Sequence, residues 1–333
     1  MKVLVTGGTG FLGKRLAFRL QELGEDVTIL GRNQAIGQQL ASQGFRFLPV
    51  DLVDTKATVD ACQGQDYIFH CGALSSPWGK YQDFYQANVL GTRNIIQGSK
   101  VHQVRRLIHV STSAVYFDFS HRFQLSEKAL LPAKQVNAYA QTKQLAEAEI
   151  QGACQQGLPA ITIRPRGIFG PGDTAIFPRL IRANQRMGIP LINEGKALID
   201  VTYIDNVVEA LLLCKQAPDS LLGRTYNITN DQPITVAQLL KILFQTLDVS
   251  LKVRRISYPV AYGLAAGMEL GAKIMRLDKE PLLTRYTVGL LAKSQTLDIT
   301  IAKEELGYQP CVRIEDGLAR FAQWWQQNKC YEP

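Results

Sequence analysis

The chain has 333 residues, 46% of them hydrophobic and 20% charged, with a formal net charge of +8. That composition supports a sizeable core and excludes a disordered, low-complexity or fibrous chain. The basic excess is scattered, with Arg105-Arg106 and Arg254-Arg255 as pairs rather than tracts, so no nucleic-acid partner is expected and an anionic small ligand is the simpler counterpart.

In chain order, Lys2–Val5, Asp26–Leu30, Arg46–Val50, Tyr67–His70, Arg106–Val110 and Ala160–Arg164 read as strands. They are apolar with little alternation, the pattern of strands buried on both faces of a parallel sheet. Lys14–Leu23, Lys56–Cys62, Val89–Val101 and Ala138–Gln155 read as helices between them. Strand–helix alternation predicts an α/β, doubly wound parallel sheet of the Rossmann type with right-handed crossovers. The rhythm changes at the turn cluster Gly170-Pro171-Gly172-Asp173. Beyond it, Ala175–Arg186, Asp205–Lys215, Val236–Leu247 and Ala302–Leu306 read as helices, and Tyr226-Asn227-Ile228 as a strand returning to the sheet. The expected organisation is interleaved: residues 1–170 plus about 200–229 form the dinucleotide-binding domain, and about 171–199 plus 230–333 a smaller, mostly C-terminal substrate lobe.

Between the first strand and first helix lies Thr6-Gly7-Gly8-Thr9-Gly10-Phe11-Leu12-Gly13. Glycines 7, 10 and 13 allow a tight turn and close approach of a pyrophosphate, and the following helix N-terminus offers free N–H groups. No G-K-S/T follows, which argues against a P-loop. The second strand ends in Leu30-Gly31-Arg32-Asn33, without the carboxylate that NAD-preferring folds place on the ribose. Arg32 can pair with a 2′-phosphate, so NADP(H) is expected in preference to NAD(H). Asp51-Leu52 ends the third strand, where the acid would accept from an adenine amino group or cap the next helix.

The fifth strand runs into Ser111-Thr112-Ser113, and Tyr139-Ala140-Gln141-Thr142-Lys143 opens a helix. Residues i and i+4 share a helix face, so the phenol and ammonium lie side by side. The ammonium is expected to lower the phenol's pKa below its ordinary value of about 10, making Tyr139 an acid–base group. One of the strand-end hydroxyls would hold the reacting oxygen.

Together these residues resemble the extended short-chain dehydrogenase/reductase superfamily, of the epimerase/dehydratase-like kind, over nearly the whole chain. T-G-x-x-G-x-x-G is Thr6 to Gly13. H-x-A-A is similar to His70-Cys71-Gly72-Ala73, with Gly72 a departure. N-V-x-G-T-x-N is Asn88 to Asn94, Y-x-x-x-K is Tyr139 to Lys143, and R-P-x-x-x-Y/F-G-P-G-D is Arg164 to Asp173. The resemblance implies a cofactor set of Gly7, Thr9, Gly10, Phe11, Leu12, Gly13, Arg32, Asp51, Leu52, Ala73, Lys143, Pro165 and Ile168. It implies catalysis by Thr112, Tyr139 and Lys143, with Ser113 the competing hydroxyl. By analogy it puts Phe177, Tyr203 and Asp205 near the substrate.

The tail motifs Pro281-Leu282-Leu283-Thr284-Arg285 and Asp298–Pro310 look like the 3β-hydroxysteroid dehydrogenase branch, which includes reductases of long-chain 2-alkyl-3-oxo acids. The implied activity interconverts a ketone and a secondary alcohol on a hydrophobic, steroid-like or long-chain 3-oxo-acid substrate. The alternative is a nucleotide-sugar epimerase, dehydratase or reductase; Gly31-Arg32 and Ser113-Ala114 count against the first two. A sensor that kept the fold without chemistry would not need Tyr139, Lys143 and Thr112 intact. A homodimer is the superfamily habit.

No metal site is expected. Cys62, Cys71, Cys154, Cys214, Cys311 and Cys330 form no C-x-x-C pair, which predicts buried free thiols and a cytoplasmic setting. No signal peptide or spanning helix is read. The apolar segment 258–277 would line a substrate cleft, rest on a membrane surface or simply pack as a helix.

Overall fold

The computed structural model describes residues 1–275 and 280–328. Arg276 and Leu277 of the apolar segment, and Cys330, therefore fall outside the described residues. The central sheet has seven strands: β1 Lys2–Thr6, β2 Asp26–Leu30, β3 Arg46–Leu48, β4 Tyr67–His70, β5 Arg106–Val110, β6 Ala160–Pro165 and β7 Thr225–Ile228. Their spatial order is β7-β6-β5-β4-β1-β2-β3, and every pairing is parallel. The α/β, doubly wound class read from the sequence is the one observed.

Alternate residues of each strand serve opposite faces. Val3, Val5, Ile29, Phe69, Ile108 and Ile161 pack with Leu16 and Leu20 of the helix Phe11–Glu22 and with Val207 and Leu211 of Ile204–Gln216. Leu4, Leu30, Ile68 and Leu107 pack the other way, with Ala61, Ile95 and Ile150 of the helices Thr55–Ala61, Gly91–Val101 and Ala138–Gln155. The chain runs outward from β1 to β3, then crosses back to β4 beside β1. The carboxyl ends of β1 and β4 are thus the switch point, where open α/β sheets bind ligands.

A second core joins Phe169, Phe177, Tyr203, Leu240, Phe244 and Phe321. A third, smaller one packs Ala261 and Ala265 of the helix Tyr258–Ile274 on Val288 and Ala292 of Arg285–Ala292. Among the described residues no helix is long and apolar enough to cross a membrane.

Several element readings need correction. The third strand stops at Leu48, because Val50 N–H bonds back to the Leu48 carbonyl (2.9 Å). The stretch Tyr85–Leu90 forms a wider, π-type turn, so the α-helix expected from Val89 begins at Gly91. The helices Gln34–Ala41, Arg285–Ala292 and Ile314–Asn328 were not read from the sequence. Of the thiols, Cys62 and Cys214 are buried as expected, but Cys311 is exposed.

Candidate active site

The phosphate loop is fitted to a close approach. Gly7 has φ +64°, a left-handed conformation that favours glycine, and a Cβ there would meet Gly72 Cα at 2.7 Å. A Cβ on Gly13 would meet the Gly7 carbonyl oxygen at 2.4 Å. Gly10 begins the helix Phe11–Glu22, and no side chain caps that end. The first-turn amides are left to an anion, which the helix dipole favours. Phe11 and Leu12 turn their side chains into the second core, so their contribution to the loop is main-chain. Thr9 packs against Gly31, where a Cβ would meet Thr9 Oγ1 at 2.6 Å.

At the end of β2, Arg32 is exposed and its Nη1 lies 3.8 Å from Asp51 Oδ2. Asp51 is not the helix cap: Asp54 is, accepting from Ala57 N–H at 3.0 Å. The Asp51 side chain instead accepts from Val53 N–H (3.3 Å). Leu52 is fixed by Asn94, whose Nδ2 donates to its carbonyl at 2.7 Å. Ala73 is exposed just past β4, Pro165 ends β6, and Ile168 pairs with Thr202 nearby. A loop without room for side chains, an uncapped helix start and an exposed arginine at the next strand fit a dinucleotide.

A buried hydrogen-bond chain ties this cradle to the catalytic helix. Gly72 N–H donates to Thr6 Oγ1 (3.0 Å), and Thr6 Oγ1 lies 2.8 Å from His70 Nδ1. His70 Nε2 lies 3.0 Å from Thr92 Oγ1, which itself donates to the Asn88 carbonyl at 2.6 Å. With the Thr92 proton used there, His70 must donate through Nε2 and accept from Thr6 through Nδ1. The ring is therefore neutral, and burial pushes its pKa down to about 3. Asn88 continues the chain, accepting from Leu74 N–H (2.7 Å) and donating to Thr142 Oγ1 (3.0 Å).

Asn137 caps the helix Ala138–Gln155, accepting from Ala140 N–H at 2.8 Å. One turn in, the buried Lys143 Nζ donates to the Val110 carbonyl (2.8 Å). The Tyr139 hydroxyl lies near the hydroxyls of Thr112 and Ser75, which favour its ionised form. Thr112 Oγ1 also accepts from Ala114 N–H (3.1 Å). Thr112 thus lies just past the end of β5 near Tyr139, and Lys143, one turn on from Tyr139, bonds the last residue of that strand. Ser113 is buried beside them, and its carbonyl accepts from Gln295 Nε2 (3.4 Å).

The electrostatics differ from the expectation. Burial pushes the Tyr139 phenol up, and the nearby hydroxyls of Ser75 and Thr112 oppose that rise; the ammonium of Lys143 is engaged with Val110 instead. Burial also pushes Lys143 down to about 8, against the attraction of Glu147. Glu147, one turn further along, holds Arg164 of β6 through a bond of 2.5 Å and so locks the helix to the sheet.

Three residues expected near the substrate lie elsewhere. Phe177 and Tyr203 are buried in the second core around Phe169, and Asp205 pairs with Arg15 at 2.5 Å. The sequence reading missed Ser75, whose only signal was its place two residues past Ala73. It also missed an aromatic wall: Tyr286 lies within electrostatic reach of Tyr139 and against Phe117 (ring centroids 5.8 Å), and Phe117 meets Phe119 at 5.2 Å.

The profile of the NAD dependent epimerase/dehydratase family matches residues 3–229. The chain is 39% identical to the uncharacterized protein YbjS of Escherichia coli strain K12, over 98% of each chain. It is 34% identical to 2-alkyl-3-oxoalkanoate reductase of Stenotrophomonas maltophilia, over 96% of this chain and 98% of that one. To human sterol-4-alpha-carboxylate 3-dehydrogenase, decarboxylating, it is 31% identical over 96% of this chain and 87% of the relative. Among solved structures, UDP-glucuronic acid 4-epimerase from Bacillus cereus in complex with NAD superposes with a TM-score of 0.79 at 22% identity, over the full length of both chains.

Proposed function

Since this chain belongs to the NAD dependent epimerase/dehydratase family, we propose that it is an NADP(H)-dependent reductase of ketones on long-chain or polycyclic apolar substrates. The observation that carries this reading is the aromatic cluster of Tyr286, Phe117 and Phe119 beside the Tyr139 phenol: with Phe117 buried and Tyr286 and Phe119 half-buried, these surroundings suit a hydrocarbon rather than a sugar diphosphate. Whole-chain identity of 34% with an oxoalkanoate reductase supports the same class. The superposition on the UDP-sugar enzyme, at 22% identity, speaks to architecture alone.

Gly7, Gly10 and Gly13, with the amides of Phe11 and Leu12, hold the pyrophosphate. Thr9, Asp51, Leu52 and Ala73 border the adenosine half, and Arg32 pairs with the 2′-phosphate. Pro165 and Ile168 present backbone to the carboxamide, and Lys143 binds the adjoining ribose. When bound, the cofactor supplies the hydride. Tyr139 delivers the proton to the carbonyl oxygen. Thr112, near the Tyr139 hydroxyl, holds that oxygen. Lys143, charged below a pKa of about 8, favours the phenolate once the proton has left.

The test is NADPH or NADH oxidation by the purified protein, followed by absorbance, across long-chain 3-oxo acids, sterol ketones and UDP- and GDP-sugars. Oxidation of NADPH with an apolar ketone is the expected result. Turnover confined to nucleotide sugars would replace this reading with the sugar one.

A further inference from the structure

We propose that the helix Tyr258–Ile274 seats this protein on the surface of an anionic lipid bilayer, its outer face lying in the headgroup boundary. At about 100° per residue, the positions from Val260 to Met275 that face away from the protein span an arc of roughly 160°. That arc holds Val260, Leu264, Met268, Leu270, Ile274 and Met275, which are 40–73% exposed, and between them only Gly263, Gly267 and Gly271. A surface helix of a soluble protein puts its charges on this side; one that is apolar all round belongs in a core or against lipid.

The inner side is already occupied. Ala261 and Ala265 pack on Val288 and Ala292, and Glu269 is turned inward, paired with Arg285 at 2.7 Å.

Charge selects the occupant. Lys252, Arg254 and Arg255 stand exposed in the segment entering the helix, and Lys273 is exposed near its far end. Among the described residues Lys252 and Arg254 have no acidic partner. Cations at the ends of an uncharged apolar face match an anionic lipid surface. A second copy docked antiparallel through this helix would set the Lys273 end against the Lys252–Arg255 end, like charge on like. The face also has open space at Gly263 and Gly267.

The inner side of the same helix reaches toward the candidate active site. Tyr262, on the inner side, meets Phe119 at 5.8 Å, the far end of the wall that begins at Tyr286. An apolar substrate dissolved in the bilayer would then enter along that wall. This delivery route rests on the apolar-ketone reading; the docking does not.

The experiment is co-sedimentation of the full chain with vesicles of phosphatidylcholine containing about a third phosphatidylglycerol, and with phosphatidylcholine alone. The expected result is binding to the anionic vesicles, at least about tenfold weaker for the neutral ones. Leu264→Glu with Met268→Glu, both at exposed positions, is expected to lower binding about tenfold or more. Lys252→Glu with Arg254→Glu is expected to remove only the preference for anionic lipid. Protein left in the supernatant with both vesicles overturns the docking, as does undiminished binding by the Leu264/Met268 variant. A concentration-dependent dimer that this variant abolishes, without vesicle binding, would assign the face to a second copy instead. Ketone turnover without vesicle binding refutes the docking alone; vesicle binding without ketone turnover refutes the reductase reading alone.

Discussion

Two regions rich in glycine have opposite physical constraints. At the carboxyl ends of β1 and β4, Gly7 and Gly13 have no room for a methyl group, and the polar groups around them are bound in one chain from Gly72 to Thr142. On the outer face of Tyr258–Ile274, Gly263 and Gly267 meet nothing within 4 Å and no polar side chain is present. In the first region each glycine is dictated by a neighbour. In the second the constraint is on what is left out, namely charge. Sequence spacing alone cannot separate the cases, since both are glycines at regular intervals.

The largest contrast is expected at the phenol. Tyr139→Phe is expected to lower kcat by about two to four orders of magnitude while NADPH affinity, read by fluorescence titration, stays within about threefold. Near-normal turnover would remove Tyr139 from the chemistry. At the cradle, Gly13→Val is expected to weaken NADPH binding by at least about tenfold, because its side chain cannot clear the Gly7 carbonyl. The matching change on the other region, Gly267→Ala, is expected to leave binding unchanged and to stabilise the fold by about 0.5–1 kcal/mol. Equal effects of the two would erase the distinction.

Arg32→Asp is expected to shift the NADPH-to-NADH affinity ratio by about tenfold or more, since a carboxylate repels the 2′-phosphate. An unchanged ratio would deny that arginine its role. The smallest effect is on stability. Because burial lowers Lys143 to about 8 from its ordinary value of 10.5, the unfolded chain binds more protons between those values, so wild-type stability should rise with pH across that window. Lys143→Met removes the buried charge but orphans the Val110 carbonyl. It is therefore expected to be about 1–2 kcal/mol more stable than wild type at pH 7, with the advantage lost as pH rises through that window and reversed above pH 10.5, where only the orphaned carbonyl counts. Urea melts across that range check it; a pH-independent difference would contradict the burial argument.

Much of the site was legible because its signals are local. Gly7, Gly10 and Gly13 lie between a strand and a helix, and Tyr139 and Lys143 lie one turn apart on Ala138–Gln155, whose observed bounds are those expected. What was not legible depends on contacts between segments far apart in the chain. Ser75, next to the Leu74 that Asn88 holds, comes near Tyr139 from a distant part of the chain. The wall from Tyr286 to Phe119 joins two segments separated by most of the second half of the chain. The rise of the Tyr139 pKa comes from burial, which helix spacing does not report. Phe177 and Tyr203, placed near the substrate by analogy, are buried in the second core around Phe169, a packing that a family motif does not report.

The central claim is that Tyr139 and Thr112 serve reduction of an apolar ketone. It is tested most directly by incubating the protein with 4-deuterated NADPH and a long-chain 2-alkyl-3-oxo acid, then locating the label by mass spectrometry. The account predicts deuterium at the former carbonyl carbon of a 3-hydroxy acid, with one NADPH consumed per product and the transfer lost in Tyr139→Phe. Recovery of unlabelled ketone, while a nucleotide sugar in the same tube is converted, would contradict it.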